Sequence, residues 1–241
     1  MRPVLFVSDL HLSPARPAIV ERFFRFLRAE AEGASSLCIL GDLLEHWYGD
    51  EDADDPFNRE VFAAFSALRA RGVEVCMLHG NRDFLLSAQA AARGGLTLIP
   101  DPSLRELFGV RTLLMHGDTL CTDDVGYQRF RATIRRPGLI RGFLRLPLAA
   151  RRAIGGGLKR ASARGKRIKA PEIMDVNGGA VEGLLRAWGY PRLIHGHTHR
   201  PNRHVHVVDG HACERWVLGD WYERGSYLRC DSQGCAAIPL D

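Results

Sequence analysis

Five times along this chain a short, mainly apolar run halts at a single polar side chain able to hold a metal. Val4–Ser8 stops at Asp9, Leu37–Leu40 at Gly41-Asp42 and Val73–Leu78 at His79-Gly80-Asn81. Arg111–Met115 stops at His116, and Arg192–Ile194 at His195. Apolar runs this short, bounded by turn residues, suit buried strands. Groups that follow the carboxyl ends of strands in an open α/β sheet converge on one crevice, where such folds bind ligands. The pattern restricts the chain to folds that gather polar groups along one sheet edge.

The intervening segments supply helices. Pro17, at a helix N1 position, opens an amphipathic stretch through Ala31, with Val20, Phe23, Phe24 and Leu27 on one face. A second helix runs from about Pro56 to Arg71 and stops at Gly72, and a third ends at Gly94-Gly95. Leu96–Ile99, Leu104–Phe108 and Arg111–Met115 then read as strands. Ala180–Trp188 is a further helix, and short strands near Val205–Val208, Arg215–Leu218 and Tyr227–Cys230 close the chain. Early strands alternating with helices, then a cluster of strands, predict an α/β sandwich with partly mixed sheets.

At 241 residues, 46% of them apolar and 25% charged, the chain can bury a substantial core, which excludes a disordered chain. No uncharged apolar run reaches the ~18–20 residues of a membrane-spanning helix. The amino terminus meets Asp9 and His11 too early for a secretory leader. The six cysteines lie mostly inside apolar runs without a CxxC pair and read as reduced thiols, as in a cytosolic protein. The close pair Cys230 and Cys235 could bridge.

The net charge of +5 conceals an asymmetry. Residues Arg129 to Lys169 hold fourteen Lys or Arg and no acid, leaving 19 basic against 28 acidic groups elsewhere. An acidic body with one basic segment predicts a localised anionic partner rather than a uniformly basic nucleic-acid binder. Residues 125–172 are helical in pattern, interrupted by Pro137, Pro147 and Gly155-Gly156-Gly157, and read as an insertion. Phe130, Ile134, Leu139, Phe143 and Leu146 could line a lid with an apolar interior, its arginines staying wet at an anionic membrane surface. The plainer alternative is a solvated helical hairpin.

The polar groups at the strand ends are Asp9 and His11, Asp42, Asn81, His116, then His195 and His197. This mixed N/O set, with no thiol, suits hard or borderline divalent ions. It exceeds the needs of one tetrahedral ion and suits two ions sharing a carboxylate. Any one Asp-x-His or Gly-Asp is an ordinary turn; the ordered set is not.

The order SDLH, GD, GN, HGD and GHTH resembles the calcineurin-like metallophosphoesterase superfamily. The strings GDLLEHWYGD, HGNRDFLL, HGDTLCTDD, IMDVN and IHGHTHRP are similar to its pyrophosphohydrolases of UDP-2,3-diacylglucosamine in lipid A synthesis. The motifs extend from Asp9 to Asp220. The resemblance implies one domain over residues 1–241, a four-layer α/β/β/α sandwich with mixed sheets, and a helical lid inserted at about 125–172. It also implies two Mn²⁺ ions. Asp9, His11 and His197 would hold the first, Asn81, His116 and His195 the second, with Asp42 between them.

The implied reaction yields UMP and 2,3-diacylglucosamine 1-phosphate through in-line attack by a metal-bridged hydroxide. Asp42, Asn81, Arg82 and His116 would be catalytic. Asn81, Arg82 and His195 would touch the diphosphate, Asp124 the glucosamine, and Ser162, Lys166 and Lys169 the lid side of the substrate. Lys166 stands where the family has Asn, and Lys cannot accept a hydrogen bond. Arg82 stands where many superfamily members carry His. A phosphate leaving group needs little help from a general acid, whereas a permanent cation clamps phosphate oxygens, so Arg82 favours a pyrophosphate. A monomer lying peripherally on the cytoplasmic face of the inner membrane completes the expectation, with no nucleic-acid partner. The alternatives are a cyclic-nucleotide phosphodiesterase or general phosphatase, and a non-catalytic membrane-binding module.

Among the remaining residues, Asp118, Asp220 and His199 read as partners that orient ligands or as plain caps. His79 reads as a buried structural histidine, Trp47 and Tyr127 as packing or wall residues, and His204, His206 and His211 as strand-surface groups.

Overall fold

The computed structural model describes residues 1–166 and 171–240. The first apolar runs become four parallel strands: β1 (Val4–Val7), β2 (Ser36–Leu40), β3 (Glu74–Leu78) and β4 (Thr97–Leu98). Two antiparallel strands, β10 (Ser226–Asp231) and β11 (Gly234–Pro239), extend this sheet beyond β1. A second sheet has the order β5-β6-β7-β9-β8, built from β5 (Ser103–Leu107), β6 (Val110–Met115), β7 (Arg192–His195), β8 (Asn202–Val208) and β9 (His211–Val217). Its central three strands are parallel and its edges antiparallel. Both sheets are therefore mixed, as the sequence predicts.

Strand alternation sorts side chains into layers. Leu5, Val7, Leu37 and Ile39 face Phe23, Phe26 and Phe65 of α1 (Pro17–Ala29) and α2 (Pro56–Ala70). Phe6, Cys38, Leu40 and Leu78 turn the other way and meet Leu114, Ile194 and Leu218 between the sheets. On the far side, Leu113, Met115 and Leu193 pack against Val181 and Leu185 of α7 (Gly178–Ala187). The layer order is α/β/β/α. Local signals start the helices: Asp55 accepts from Phe57 N–H at the head of α2, Ser87 from Ala90 N–H at α3 (Ala88–Arg93), and Asn177 from Ala180 N–H at α7.

Two sequence expectations change here. The strand β11 was not foreseen, because GCAAIP is only partly buried and lacks clean alternation. Its antiparallel register sets Cys235 opposite Cys230, and the two form a disulfide, which corrects the reading of all six cysteines as free thiols. Cys38, Cys76, Cys121 and Cys213 are free and buried.

The insertion between β6 and α7 holds α4 (Val125–Ile134), α5 (Pro137–Leu144) and α6 (Leu148–Lys166). The triple glycine is not a break; it lies within α6, where a side chain at Gly155 would collide with the Tyr48 ring. Nor do all the arginines stay wet. Arg151 is 2% exposed and donates to the Leu146 and Tyr48 carbonyls and to Glu51. Among the described residues no helix is long and apolar enough to cross a membrane.

Candidate metal centre

The strand ends converge because their turns are hydrogen-bonded to one another. Asp9 N–H donates to Gly41 O, His11 N–H to Asp42 O and Gly196 N–H to His116 O. A side chain at Gly80 would overlap the Asp42 carboxylate, so only glycine lets the β3 turn close over the β2 turn. Among the described residues, five of the eight non-glycine residues at positive φ lie here: Asp9 (53°), His11 (48°), Asp42 (53°), His197 (69°) and His199 (56°). Left-handed backbone costs a non-glycine residue roughly 1–2 kcal/mol. Its concentration at these turns marks where geometry outranks local comfort.

The turns bring their side chains into two overlapping groups. Ligand atoms of Asp9, His11 and His199 lie within 4.8 Å of one another, as do those of Asp9, Asp42 and His116. Asn81 and His197 complete the second group: Asn81 Oδ1 is 3.2 Å from His116 Nε2 and 3.1 Å from His197 Nδ1. His116 Nδ1 sits 2.9 Å from Leu40 O, leaving Nε2 toward the cluster. Burial opposes a charge on His116, but Asp42, Asp9 and Asp118 outweigh it and push its pKa up to about 9. Burial pushes Asp42 up to about 7 against the pull of His116. Burial also acts to raise Asp9, yet the hydrogen bond with His199 and the charge of His116 hold it below the usual carboxylate range.

His11 tests whether a cation fits. Both its ring nitrogens are buried without a hydrogen-bond partner, and Nε2 points at Asp42 Oδ2 (3.7 Å) and Asp9 Oδ1 (3.9 Å). A buried polar group left unsatisfied costs ~1–3 kcal/mol. A divalent ion among Nε2 and the two carboxylates would remove that cost and balance their charge. The donor set fits the metal.

From Asn81, Arg82 and His197 a cavity of about 790 Å³ runs beneath the insertion. Phe84, Phe130, Ile134, Leu139, Phe143 and Ile154 give it largely apolar walls. Arg82 stands at the junction. Its backbone N–H donates to Asp42 Oδ1 at 2.8 Å, while its side-chain Nε is buried without a protein partner.

A model of the Calcineurin-like phosphoesterase family matches residues 2–201. The chain belongs to the calcineurin-like phosphoesterases. The UDP-2,3-diacylglucosamine hydrolase of Aromatoleum aromaticum is 51% identical to it over 95% of this chain and 94% of its own length. The protein of the same name from Aeromonas salmonicida is 49% identical, covering 94% and 89% of the two chains. The one from Xanthomonas axonopodis pv. citri is 47% identical over 98% of each. Among solved structures, an archaeal phosphodiesterase shares the fold with a TM-score of 0.50 at 12% identity, covering 99% of both chains.

Within this phosphoesterase the structure gathers Asp9, His11, Asp42, Asn81, His116 and His197, but not the imidazole of His195. The His195 ring is buried in the sheet, its Nδ1 2.9 Å from Gly196 O and its Nε2 3.1 Å from Arg215 Nη1. Both nitrogens are committed, and burial pushes the pKa down to about 4. His199 takes the remaining place instead, with Nε2 3.2 Å from Asp9 Oδ1 and Nδ1 2.8 Å from Asp220 Oδ2. The correction is a shift of two residues: β7 runs through His195, and the turn beyond it delivers His197 and His199. His197 accordingly sits with Asn81 and His116 rather than with Asp9 and His11.

The other expected positions divide. Asp124 caps α4, accepting from Tyr127 N–H at 2.9 Å, and is not among the residues lining the cavity. Ser162 and Lys166 lie on the backbone of α6 with side chains outside the described ones, and Lys169 lies outside the described residues. Asp118 orients no ligand histidine; it accepts from the Tyr127 hydroxyl (2.8 Å) and Arg131 Nε (2.6 Å), tying α4 to the body. Asp220 does meet a histidine of the cluster, its Oδ2 lying 2.8 Å from His199 Nδ1. His79 is half-buried against Leu86 O, a structural role.

Sequence reasoning missed Glu45, Lys159 and Arg135. Glu45 lies three residues beyond Asp42 in a string singled out as a motif, which was the available signal. Arg135 donates to Gly80 O at 2.8 Å and packs over Phe84 with no local pattern to announce it.

Proposed function

We propose that this phosphoesterase hydrolyses the pyrophosphate bond of UDP-2,3-diacylglucosamine, releasing UMP and 2,3-diacylglucosamine 1-phosphate for lipid A synthesis. The observation that carries the reading is the long apolar cavity beginning at Asn81, Arg82 and His197. Acyl chains need such walls, whereas a cyclic nucleotide or a soluble phosphate ester does not. Relatives of about half identity bearing that substrate in their name point the same way.

Two Mn²⁺ ions fit the cluster: Asp9, His11 and His199 would hold the first, and Asn81, His116 and His197 the second, with Asp42 available to both. When bound, such a pair supplies an activated water and neutralises charge building on a phosphoryl group. Arg82, with an unpartnered Nε at the cavity wall, clamps the diphosphate. Asp124, Ser162, Lys166 and Lys169 would approach the sugar and the lid side of the substrate. The whole chain, 1–241, acts as one monomeric unit, with 125–172 as its lid. On α5 and its two caps, exposed Leu144 beside exposed Arg136, Arg141 and Arg145 suits peripheral contact with an anionic membrane at the cytoplasmic face of the inner membrane.

The test is turnover of UDP-2,3-diacylglucosamine beside UDP-N-acetylglucosamine and a cyclic nucleotide, each with Mn²⁺ and with chelator. Hydrolysis confined to the acylated substrate and abolished by chelation is expected. Comparable turnover of the unacylated compounds overturns the assignment.

A further inference from the structure

Glu45 is 4% exposed, and its carboxylate meets three groups from three parts of the molecule. Lys159 of α6 lies 2.8 Å from Oε1. Arg16, at the head of α1, and His11 lie 3.3 and 3.7 Å from Oε2. The His11 contact is made by Nδ1, while Nε2 faces Asp9 and Asp42. The ring is braced on its face as well: Tyr222 stacks on it at 5.2 Å, and Arg16 lies over Tyr222 at 4.4 Å. Metal-binding imidazoles commonly turn their second nitrogen to a carboxylate, which sets ring orientation and basicity.

We propose that Glu45 is a positioning residue coupling the lid to the first metal position. Lys159 holds the carboxylate that orients His11, so the docked lid and the well-aimed ligand are one arrangement. The inference rests on the two-metal reading of the cluster. Among the described contacts Lys159 reaches no ligand, so any influence on metal affinity passes through Glu45. A lid that lifts carries Lys159 away and leaves Glu45 with only Arg16 and His11.

The decisive measurement is Mn²⁺ titration by calorimetry of the full chain, without substrate, with folding checked by circular dichroism. Wild type is compared with Glu45→Gln, Lys159→Met, Lys159→Arg and the Glu45→Gln/Lys159→Met double variant. Glu45→Gln should weaken one of two sites by about 10–100-fold. Lys159→Met should weaken the same site by a smaller factor, Lys159→Arg should restore it, and the double variant should be no weaker than Glu45→Gln. Unchanged affinities in Lys159→Met, or losses that multiply in the double variant, overturn the coupling. Should Glu45→Gln not fold, the Met and Arg variants at 159 decide alone, by loss and recovery or by no loss. Two ions bound by wild type with Lys159→Met indifferent defeats the coupling only. A wild type that binds no Mn²⁺ defeats the two-metal reading, and the coupling falls with it.

Discussion

The metal edge and the helical insertion proposed to be a lid hold their side chains by different means. At the edge, Asp9, His11, Asp42 and His116 are buried, and each rides on a turn tied by backbone hydrogen bonds to its neighbour. The lid helices α4 and α5 bury none of their residues. What fastens the lid is charge: Arg131 and Arg135 on Asp118, Arg152 on Asp52, Arg151 on Glu51, Lys159 on Glu45. The basic segment therefore finds much of its anionic partner within its own chain. Buried turns keep atoms in register regardless of ionic strength, whereas partly exposed pairs are individually weak and screened by salt. Chemistry demands the first kind of hold; the proposed admission and release of an acylated substrate would draw on the second.

The largest effect should come from the middle of the metal edge. Asp42→Ala is expected to lower kcat by orders of magnitude and to lose bound Mn²⁺, because its two oxygens lie between His11 (3.7 Å) and His116 (3.9 Å), one from each group of ligands. Near-normal turnover with two ions retained would break the comparison at its firmer side. Next in size, His199→Ala should drop metal occupancy from two ions to one and reduce kcat by about 100-fold or more, beyond the 10–100-fold typical of groups that only support a ligand. His195→Phe should leave both ions in place. Metal analysis giving the reverse order would return His195 to the ligand set.

On the lid side, Arg151→Met removes a buried guanidinium and leaves two carbonyls without their donor, a loss of about 1–3 kcal/mol. Local opening should rise correspondingly, about tenfold for each 1.4 kcal/mol. Hydrogen exchange should record this in α6 while β1 to β3 stay unchanged; equal acceleration in both would mean the lid and body open together. The smallest effect belongs to salt. Between 0.1 and 1 M the screening length falls from ~10 to ~3 Å. KM for the acylated substrate should rise a few-fold while kcat holds steady, and a fall in kcat with constant KM would contradict a charge-fastened lid.

The same contrast explains what could be read from the sequence. A ligand placed just after a strand leaves a local mark, so Asp9, His11, Asp42, Asn81 and His116 were legible from apolar run, turn and polar residue in order. The mark failed at IHGHTH, where three histidines alternate and nothing local tells where β7 stops. Only the buried ring of His195, turned to Arg215 on β9, resolves it. The lid's fastenings were illegible for another reason. Arg151 and Glu51 are separated by a hundred residues, as are Arg152 and Asp52, and no periodicity connects such pairs. The four layers were foreseeable from alternating strands; β11 was not, since a half-exposed edge strand needs no apolar pattern.

The left-handed turns at Asp9, His11, Asp42, His197 and His199 also bear on how this enzyme could be made hardier. Glycine would relax each of them, since it alone adopts that backbone without steric cost. A laboratory selection that rewarded heat resistance and ignored turnover would therefore drift toward glycine at these positions, erasing one ligand with every gain. Robustness and activity are opposed at this rim of the sheet, and a tougher variant must find its margin among the α1 and α2 contacts on the far face.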